Sequence, residues 1–321
     1  MTNPWVQSAR LRTLPLALST VLLGTSLANF HTAIHWDLVV LAAMIAIGLQ
    51  ILSNYANDYG DFVKGTDARA DRKDRMLSAQ LITPVAMKKV LIGLSGSLLG
   101  LGVFTLLYAS RNYELSSESL FYLLIVGLLA IAAAVFYTVG KKAYGYSGLG
   151  DIAVILFFGL VPILGTSLLM GLPPNISVWM GGLGSGLLSA AVLNINNYRD
   201  LDSDKKSGKR TLAVKIGAKA TLQYQRFLLI LGFSGVFGSF AVYLYQLLNL
   251  GDASYYIEMF LLFGVFSPSA IFLSRYYSEM RELKPGDRDG LNLQLKRVSL
   301  TVLLLCVVHF SLSFYVSSLF R

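Results

Sequence analysis

The sequence predicts an all-α integral membrane protein of nine transmembrane helices with a cytoplasmic N-terminus, and three observations carry the prediction. Of 321 residues, 55% are hydrophobic and 14% charged, where a soluble domain holds about 45–50% and about 25%. Charge is absent from seven long stretches, and roughly 18 apolar residues in a row suffice to cross a bilayer as a helix. Basic residues collect on alternate connections, as they do in cytoplasmic loops.

The uncharged stretches are Thr13–Trp36, Leu38–Asn57, Val90–Ser110, Ser119–Gly140, Ile152–Tyr198, Phe227–Gly251 and Val298–Phe320. The fifth is too long for one crossing. Pro173-Pro174-Asn175 divides it, because proline lacks an N–H and clashes inside a helix. A weaker stretch, Tyr255–Ser274, carries Glu258 near its start and supplies the ninth helix. At about 20 residues each, the helices absorb more than half of the chain, so residues 1–321 read as one membrane domain. Arg10 and Arg12 look like the start of a signal peptide, but the apolar run that follows outlasts the ~7–15 residues of such a signal. It reads as a retained first helix.

The net charge of +9 invites a nucleic-acid partner. Its distribution argues for none. With nine crossings, 25 of the 27 Lys and Arg lie on the same side as the N-terminus, and only Arg111 and Arg321 lie opposite. Cys306 is the single cysteine, which excludes an intrachain disulfide or a cysteine zinc site; it reads as a small buried group. The spacings Gly96-x-x-x-Gly100 and Gly182-x-x-x-Gly186 read as close helix packing. GGLGSG at Gly181–Gly186 lacks the preceding strand that a nucleotide loop needs. His31 and His35, at the end of the first helix away from the aspartates, read as interfacial polar groups, and His309 as packed or hydrogen-bonded.

Two long connections, Asp58–Lys89 and Arg199–Arg226, each open on an Asn/Asp cluster and continue with basic residues. Asn57-x-x-x-Asp61 in the first answers Asn196-x-x-x-Asp200 in the second, a weak internal repeat. On a helix, Asn54, Asp58 and Asp61 share one face, and Asn57 and Asp61 are one turn apart. Gly60 and Gly65 then let the backbone leave the helix and return Asp67 toward Asp61. Asn196, Asp200 and Asp204 form a single stripe, from which Asp202 points away.

Carboxylates crowded on one face repel unless a cation sits among them. All the donors are oxygens, which suits Mg²⁺ shared with substrate phosphates. Neighbouring Lys and Arg match the remaining phosphate charge. The expected site is a diphosphate clamp at the membrane boundary, above an apolar bundle that accepts a hydrocarbon tail. The plainer alternative is solvated loop charges with Asn at helix ends. Two clusters at matching topological positions weigh against it.

These residues resemble the UbiA-type aromatic prenyltransferase superfamily. The resemblance is carried by RLRTLPLALSTVLLG at Arg10–Gly24, NDYGDFVKGTD at Asn57–Asp67 and NINNYRDLDSDKKSGKRTLAVKIG at Asn194–Gly217. YGYSGLGD at Tyr144–Asp151, followed by FFGLVPILGT, adds to it. Within the superfamily the match is most similar to members that prenylate 1,4-dihydroxy-2-naphthoate in menaquinone biosynthesis. Leu11 stands where relatives often have Pro. Five residues separate Asp61 from Asp67, where many superfamily members have three; the longer spacing resembles the naphthoate branch.

The resemblance implies a UbiA-type nine-helix bundle around a central apolar cavity. It implies two Mg²⁺ ions, one on Asn57, Asp61 and Asp67 and one on Asn196, Asp200 and Asp204. Asp58 either joins the first set or assists the acceptor. Asp58, Asp61 and Asp200 are the expected catalytic carboxylates. Arg75 and Lys209 are expected on the diphosphate, with Arg210 a weaker choice. Lys141 and Lys142 either contribute there or only set topology. The implied reaction transfers a polyprenyl group from polyprenyl diphosphate, with loss of diphosphate and CO₂, to give demethylmenaquinone. Its place is the cytoplasmic boundary of the inner membrane. Tyr137 and Tyr198 are expected substrate contacts, and with Tyr55, Phe136 and Phe157 they are the aromatic faces available to an allylic cation. Two rivals stand beside this reading. One is a UbiA-type enzyme with another aromatic acceptor. The other is a cation transporter, disfavoured because both clusters lie at one boundary beside dense Lys and Arg, not at the bilayer midplane.

Overall fold

The computed structural model describes residues 3–69, 75–113, 115–140, 143–248 and 272–320. Twelve helices run in order: α1 (Pro4–Ser8), α2 (Leu14–Asn29), α3 (Trp36–Val63), α4 (Thr66–Arg69), α5 (Pro84–Asn112), α6 (Ser117–Phe136), α7 (Gly150–Leu169), α8 (Ile176–Arg199), α9 (Leu201–Ser207), α10 (Leu212–Leu248), α11 (272–282) and α12 (Arg288–Phe320). No strand occurs among the described residues. Among them, eight helical stretches are long and apolar enough to cross a membrane. Most of the expected ninth helix, Tyr255–Ser274, lies outside the described residues, as do Lys141 and Lys142.

Local chemistry sets the helix ends. Thr83, Ser116 and Asn175 each accept the N–H three residues on, capping α5, α6 and α8. The Pro173-Pro174-Asn175 break falls between α7 and α8, as its sequence requires. At Gly217, within α10, the backbone adopts φ +80°, a left-handed conformation that glycine tolerates without a Cβ penalty.

Helix α8 is the central post, packed against α10, α7, α12 and α2. Glycine makes these contacts close. A Cβ on Gly159 of α7 would lie 2.2 Å from the Gly186 Cα, and one on Gly184 would lie 2.5 Å from the Val236 nitrogen of α10. The small-residue run in α8 is therefore a packing surface on two sides. Gly96 and Gly100 of α5, by contrast, have no neighbour within 4 Å, so their spacing marks no described contact. Gly159→Ala is expected to destabilise the protein by about 1–3 kcal/mol through overpacking. A lowered Tm in detergent would check this, with Gly93→Ala, at a position open within 4 Å, as the neutral control.

Helix α7 is irregular. It makes a wide π turn over Leu156–Leu160 and then meets Pro162. Pro162 has no N–H for the carbonyl of Phe158. Ser189 Oγ of α8 donates to that carbonyl at 3.2 Å instead. The distorted turn sets Phe157 and Phe158 against the interior cavity.

Polar side chains lock the end of the bundle away from the aspartates. His309 is buried in α12, its Nδ1 2.6 Å from Ser26 Oγ of α2. Asn29 donates to Ser313 and Ser317, each at 3.3 Å. Asp37 at the start of α3 accepts from Tyr108 at 2.7 Å and Tyr113 at 2.6 Å, and His35 stacks on Tyr113. Cys306 is buried, as its apolar surroundings demand.

Candidate active site

The last turns of α3 carry two polar stripes that face different partners. Gln50, Asn54 and Asp58 face the N-terminal segment. Asn54 donates to the Ala9 carbonyl at 2.8 Å, and Gln50 donates to Thr13 Oγ1 at 3.2 Å. Asp58 accepts from Ser8 Oγ at 2.7 Å and from Arg10 at 2.9 Å, and Arg75 closes on the same carboxylate oxygen as Arg10. Arg10 sits at φ +52°, an unfavourable conformation for a residue with a Cβ. Its bond to Asp58 helps hold it there.

Asn57 and Asp61 form the second stripe. Asp61 accepts from the Tyr146 hydroxyl, and Lys209 Nζ and Arg75 Nη2 approach it at 3.6 and 3.8 Å. Thr66 completes the chain, 2.8 Å from the Tyr146 oxygen. Burial, and then the Asp61 charge, push the Tyr146 phenol upward, so it stays protonated and donates. Lys64 lies over the Tyr146 ring at 3.9 Å. Burial lowers its ammonium; Asp61 opposes that shift and Lys209 adds to it. Asn57 Oδ1 is buried without a hydrogen-bond partner among the described residues. Such an acceptor is expensive to leave unfilled.

The second motif reaches the first from the side. Short helix α9 packs against α4, which brings the Asp204 segment to the Asp67 segment. Asp58, Asp61 and Asp67 are each 2% exposed, and Asp204 is buried as well. Ser78 Oγ lies 3.4 Å from Asp67. The backbone N–H of Lys209 donates to the Asp204 carbonyl at 2.9 Å, which sets the lysine toward Asp61. Asn196 is half-buried and donates to the Val192 carbonyl at 3.4 Å. Asp200 forms a two-pronged pair with Arg199 at 3.0 and 2.8 Å, and Arg199 also donates to Asn292 of α12 at 2.6 Å. Among the described residues, no three His, Cys, Asp or Glu side chains form a ready-made metal cage.

Below this polar layer lies an apolar cavity. Ser53, one turn before Asn57, lines its upper chamber with Gln50, Tyr137, Tyr144 and Phe157. Ala46, Leu49, Ala130, Phe157 and Pro162 are shared with a lower chamber of about 160 Å³ between α3, α5, α6 and α7. Burial first, then nearby charges including Asp61 and Asp204, raise the Tyr137 phenol. That ring also borders the cavity.

Three aromatic expectations fall elsewhere. The Tyr198 hydroxyl donates to the Leu283 carbonyl at 3.0 Å, because α8 turns that side of its last turn toward the loop after α11. Tyr55 packs edge-on against Trp5, and Phe136 is exposed on the outer wall. Arg210 is exposed, its backbone N–H donating to the Tyr146 carbonyl at 3.2 Å. Tyr146 and Lys64 are the members of the cluster that residue spacing did not single out. The YGYSGLGD segment contained the first, and the second follows the Asn57–Asp61 stripe directly.

Fold and site together define a class: a helical membrane protein with a buried cluster of Asn, Asp, Lys and Arg close to an apolar cavity. Its family follows from comparison with known proteins. The chain belongs to the UbiA prenyltransferase family, whose profile matches residues 17–284. It is 43% identical over 233 residues to the 1,4-dihydroxy-2-naphthoate octaprenyltransferase of Escherichia coli, covering 71% of this chain and 73% of that protein. It is 42% identical over 223 residues to the enzyme of that name from Haemophilus influenzae, covering 67% and 69%. The fold matches a UbiA homolog from Aeropyrum pernix with a TM-score of 0.65 at 15% identity, over 91% of this chain and 96% of that one. A UbiA homolog from Archaeoglobus fulgidus bound to GPP and Mg²⁺ matches with a TM-score of 0.60 at 15% identity, over 94% and 98%.

Proposed function

We propose that this chain is one catalytic unit that moves a polyprenyl group from polyprenyl diphosphate to 1,4-dihydroxy-2-naphthoate. The site would lie at the cytoplasmic boundary of the inner membrane, with the N-terminus on that side. One observation carries the reading: a buried Asn/Asp/Lys/Arg cluster begins one turn of α3 beyond Ser53, which lines an apolar cavity, in a chain 43% identical to a named naphthoate octaprenyltransferase.

The donor set fits Mg²⁺. It is all oxygen, it includes the unfilled Asn57 Oδ1, and it has too few carboxylates for a cage that needs no phosphate. Asn57, Asp61 and Asp67 would hold one ion, and Asn196, Asp200 and Asp204 a second. When bound, Mg²⁺ supplies positive charge against the departing diphosphate. Arg75, Lys64 and Lys209 add fixed cations in the same cluster, preorganised where charge develops. Tyr146 holds Asp61 in place from its far side.

As the allylic C–O bond breaks, its electron pair leaves with the diphosphate. Tyr137 and Phe157 line the cavity, where their rings would stabilise a developing allylic cation and the apolar walls would exclude water. The naphthoate ring carbon bearing the carboxylate forms the new C–C bond. The bond to the carboxylate then breaks, its electron pair restores the aromatic ring, and CO₂ leaves. The product is the prenylated dihydroxynaphthalene, the reduced form of demethylmenaquinone.

A panel of aromatic acceptors with labelled polyprenyl diphosphate, with and without Mg²⁺, tests this. Product is expected only with 1,4-dihydroxy-2-naphthoate and only with the metal, falling to background in EDTA. Product from another acceptor alone would overturn the substrate assignment.

A further inference from the structure

Adjacent residues on α10 and α11 point to opposite sides of the bundle wall. Gln225 is buried; it accepts from Asn194 of α8 at 2.8 Å and donates to the Tyr276 hydroxyl at 2.9 Å. The next residue on each helix turns outward. Arg226 lies over the Tyr277 ring, its guanidinium carbon 5.3 Å from the centroid. Between them runs an outer groove lined by Arg226, Ile230, Leu273, Tyr277, Ser278 and Arg281.

Three features give this groove a chemical preference. Arg226 and Arg281 are both exposed, and no carboxylate forms an ion pair with either among the described residues. The acidic residue Glu279 is turned away and engaged by Gln294 and Arg297. The Tyr277 hydroxyl is buried without a hydrogen-bond partner among the described residues. A donor left unfilled beside two guanidiniums matches an anion with several acceptor oxygens, and arginine pairs with phosphate through two parallel N–H bonds. Ile230 and Leu273 continue the groove as apolar surface.

Position narrows the ligand. Leu283 accepts from Tyr198, and the Gly286 N–H donates to the Arg199 carbonyl at 3.0 Å. These bonds fix the end of α11 beside the end of α8 that carries Asp200. The groove is therefore on the outer wall near the motif end of the bundle, with the buried Gln225–Asn194 pair between it and the interior. Basic pockets at the membrane boundary are suited to anionic lipid head groups.

We propose that this groove binds the phosphate head group of an anionic phospholipid. Arg226 and Arg281 pair with the phosphate, the Tyr277 hydroxyl donates to it, and an acyl chain runs along Ile230 and Leu273. Full-length protein and the Arg226→Gln/Arg281→Gln variant are compared by native mass spectrometry and thermal unfolding. The probes are phosphatidylglycerol, phosphatidylcholine and inorganic phosphate. Phosphatidylglycerol should be retained by the wild type and raise its Tm more than phosphatidylcholine does. The double variant should lose at least tenfold in phosphatidylglycerol affinity while keeping its prenyl transfer in neutral detergent. Equal phosphatidylglycerol retention by the two proteins overturns the site. Protection by inorganic phosphate as strong as by phosphatidylglycerol overturns the lipid as its occupant. If the double variant does not fold, Tyr277→Phe decides: a several-fold loss of affinity supports the site, and unchanged affinity rejects it.

Discussion

Replacing Asp61 with Asn is expected to lower prenyl transfer by on the order of 10³-fold while leaving the fold intact. Asn keeps the size of the side chain and an oxygen for the Tyr146 hydroxyl, so the packing around it survives. What goes is the negative charge that Lys209 and Arg75 approach at 3.6 and 3.8 Å. In the proposed site this carboxylate would hold Mg²⁺ against the diphosphate, and an amide is a poor substitute for that hard cation. Initial rates with labelled donor across a Mg²⁺ titration, alongside a thermal unfolding curve, separate the two effects. Wild-type rates in this variant would remove Asp61 from the chemistry.

Asp58→Ala is expected to fail in the opposite way. It strips a buried carboxylate from Arg10, Arg75 and Ser8 at once. Breaking a buried pair by removing one partner costs about 3–5 kcal/mol, because the remaining charge stays buried and unpaired. The Tm in detergent should fall sharply, and the N-terminal segment should become susceptible to protease. Activity per folded molecule should stay within a few-fold of wild type. An unchanged Tm with lost activity would instead put Asp58 in the reaction.

These two aspartates show where sequence reasoning stopped. Charge-free runs locate membrane helices because a bilayer penalises every ionised group, and the described helices follow those runs closely, including the break at Pro173-Pro174. Helical spacing also picks out the Asn57/Asp61 pair. It does not separate Asp58 from Asp61, since offsets of three and four residues fall on nearly the same face. Only the partners divide them: the N-terminal turn takes one side, and Tyr146 with Lys209 takes the other. The same limit explains Tyr198. An aromatic residue beside Asp200 looks like a site residue until the loop at Leu283 shows which way it points. Tyr146 lies in the YGYSGLGD segment, but its role comes from a contact between residues 85 positions apart, which no local pattern encodes. Pro162 reads as a helix breaker on its own. Ser189, from a different helix, lets α7 carry it.

The anchoring of the N-terminal segment on α3 has a practical side. Ser8, Ala9, Arg10 and Thr13 are all tied to the α3 stripe that backs the Asn57/Asp61 face. Residues 8–13 are thus a strut against the Gln50/Asn54/Asp58 stripe of α3. A purification tag or fluorescent protein fused ahead of Asn3 pulls directly on that strut, so fusions for membrane extraction and imaging belong on the other side of the sequence, after α12.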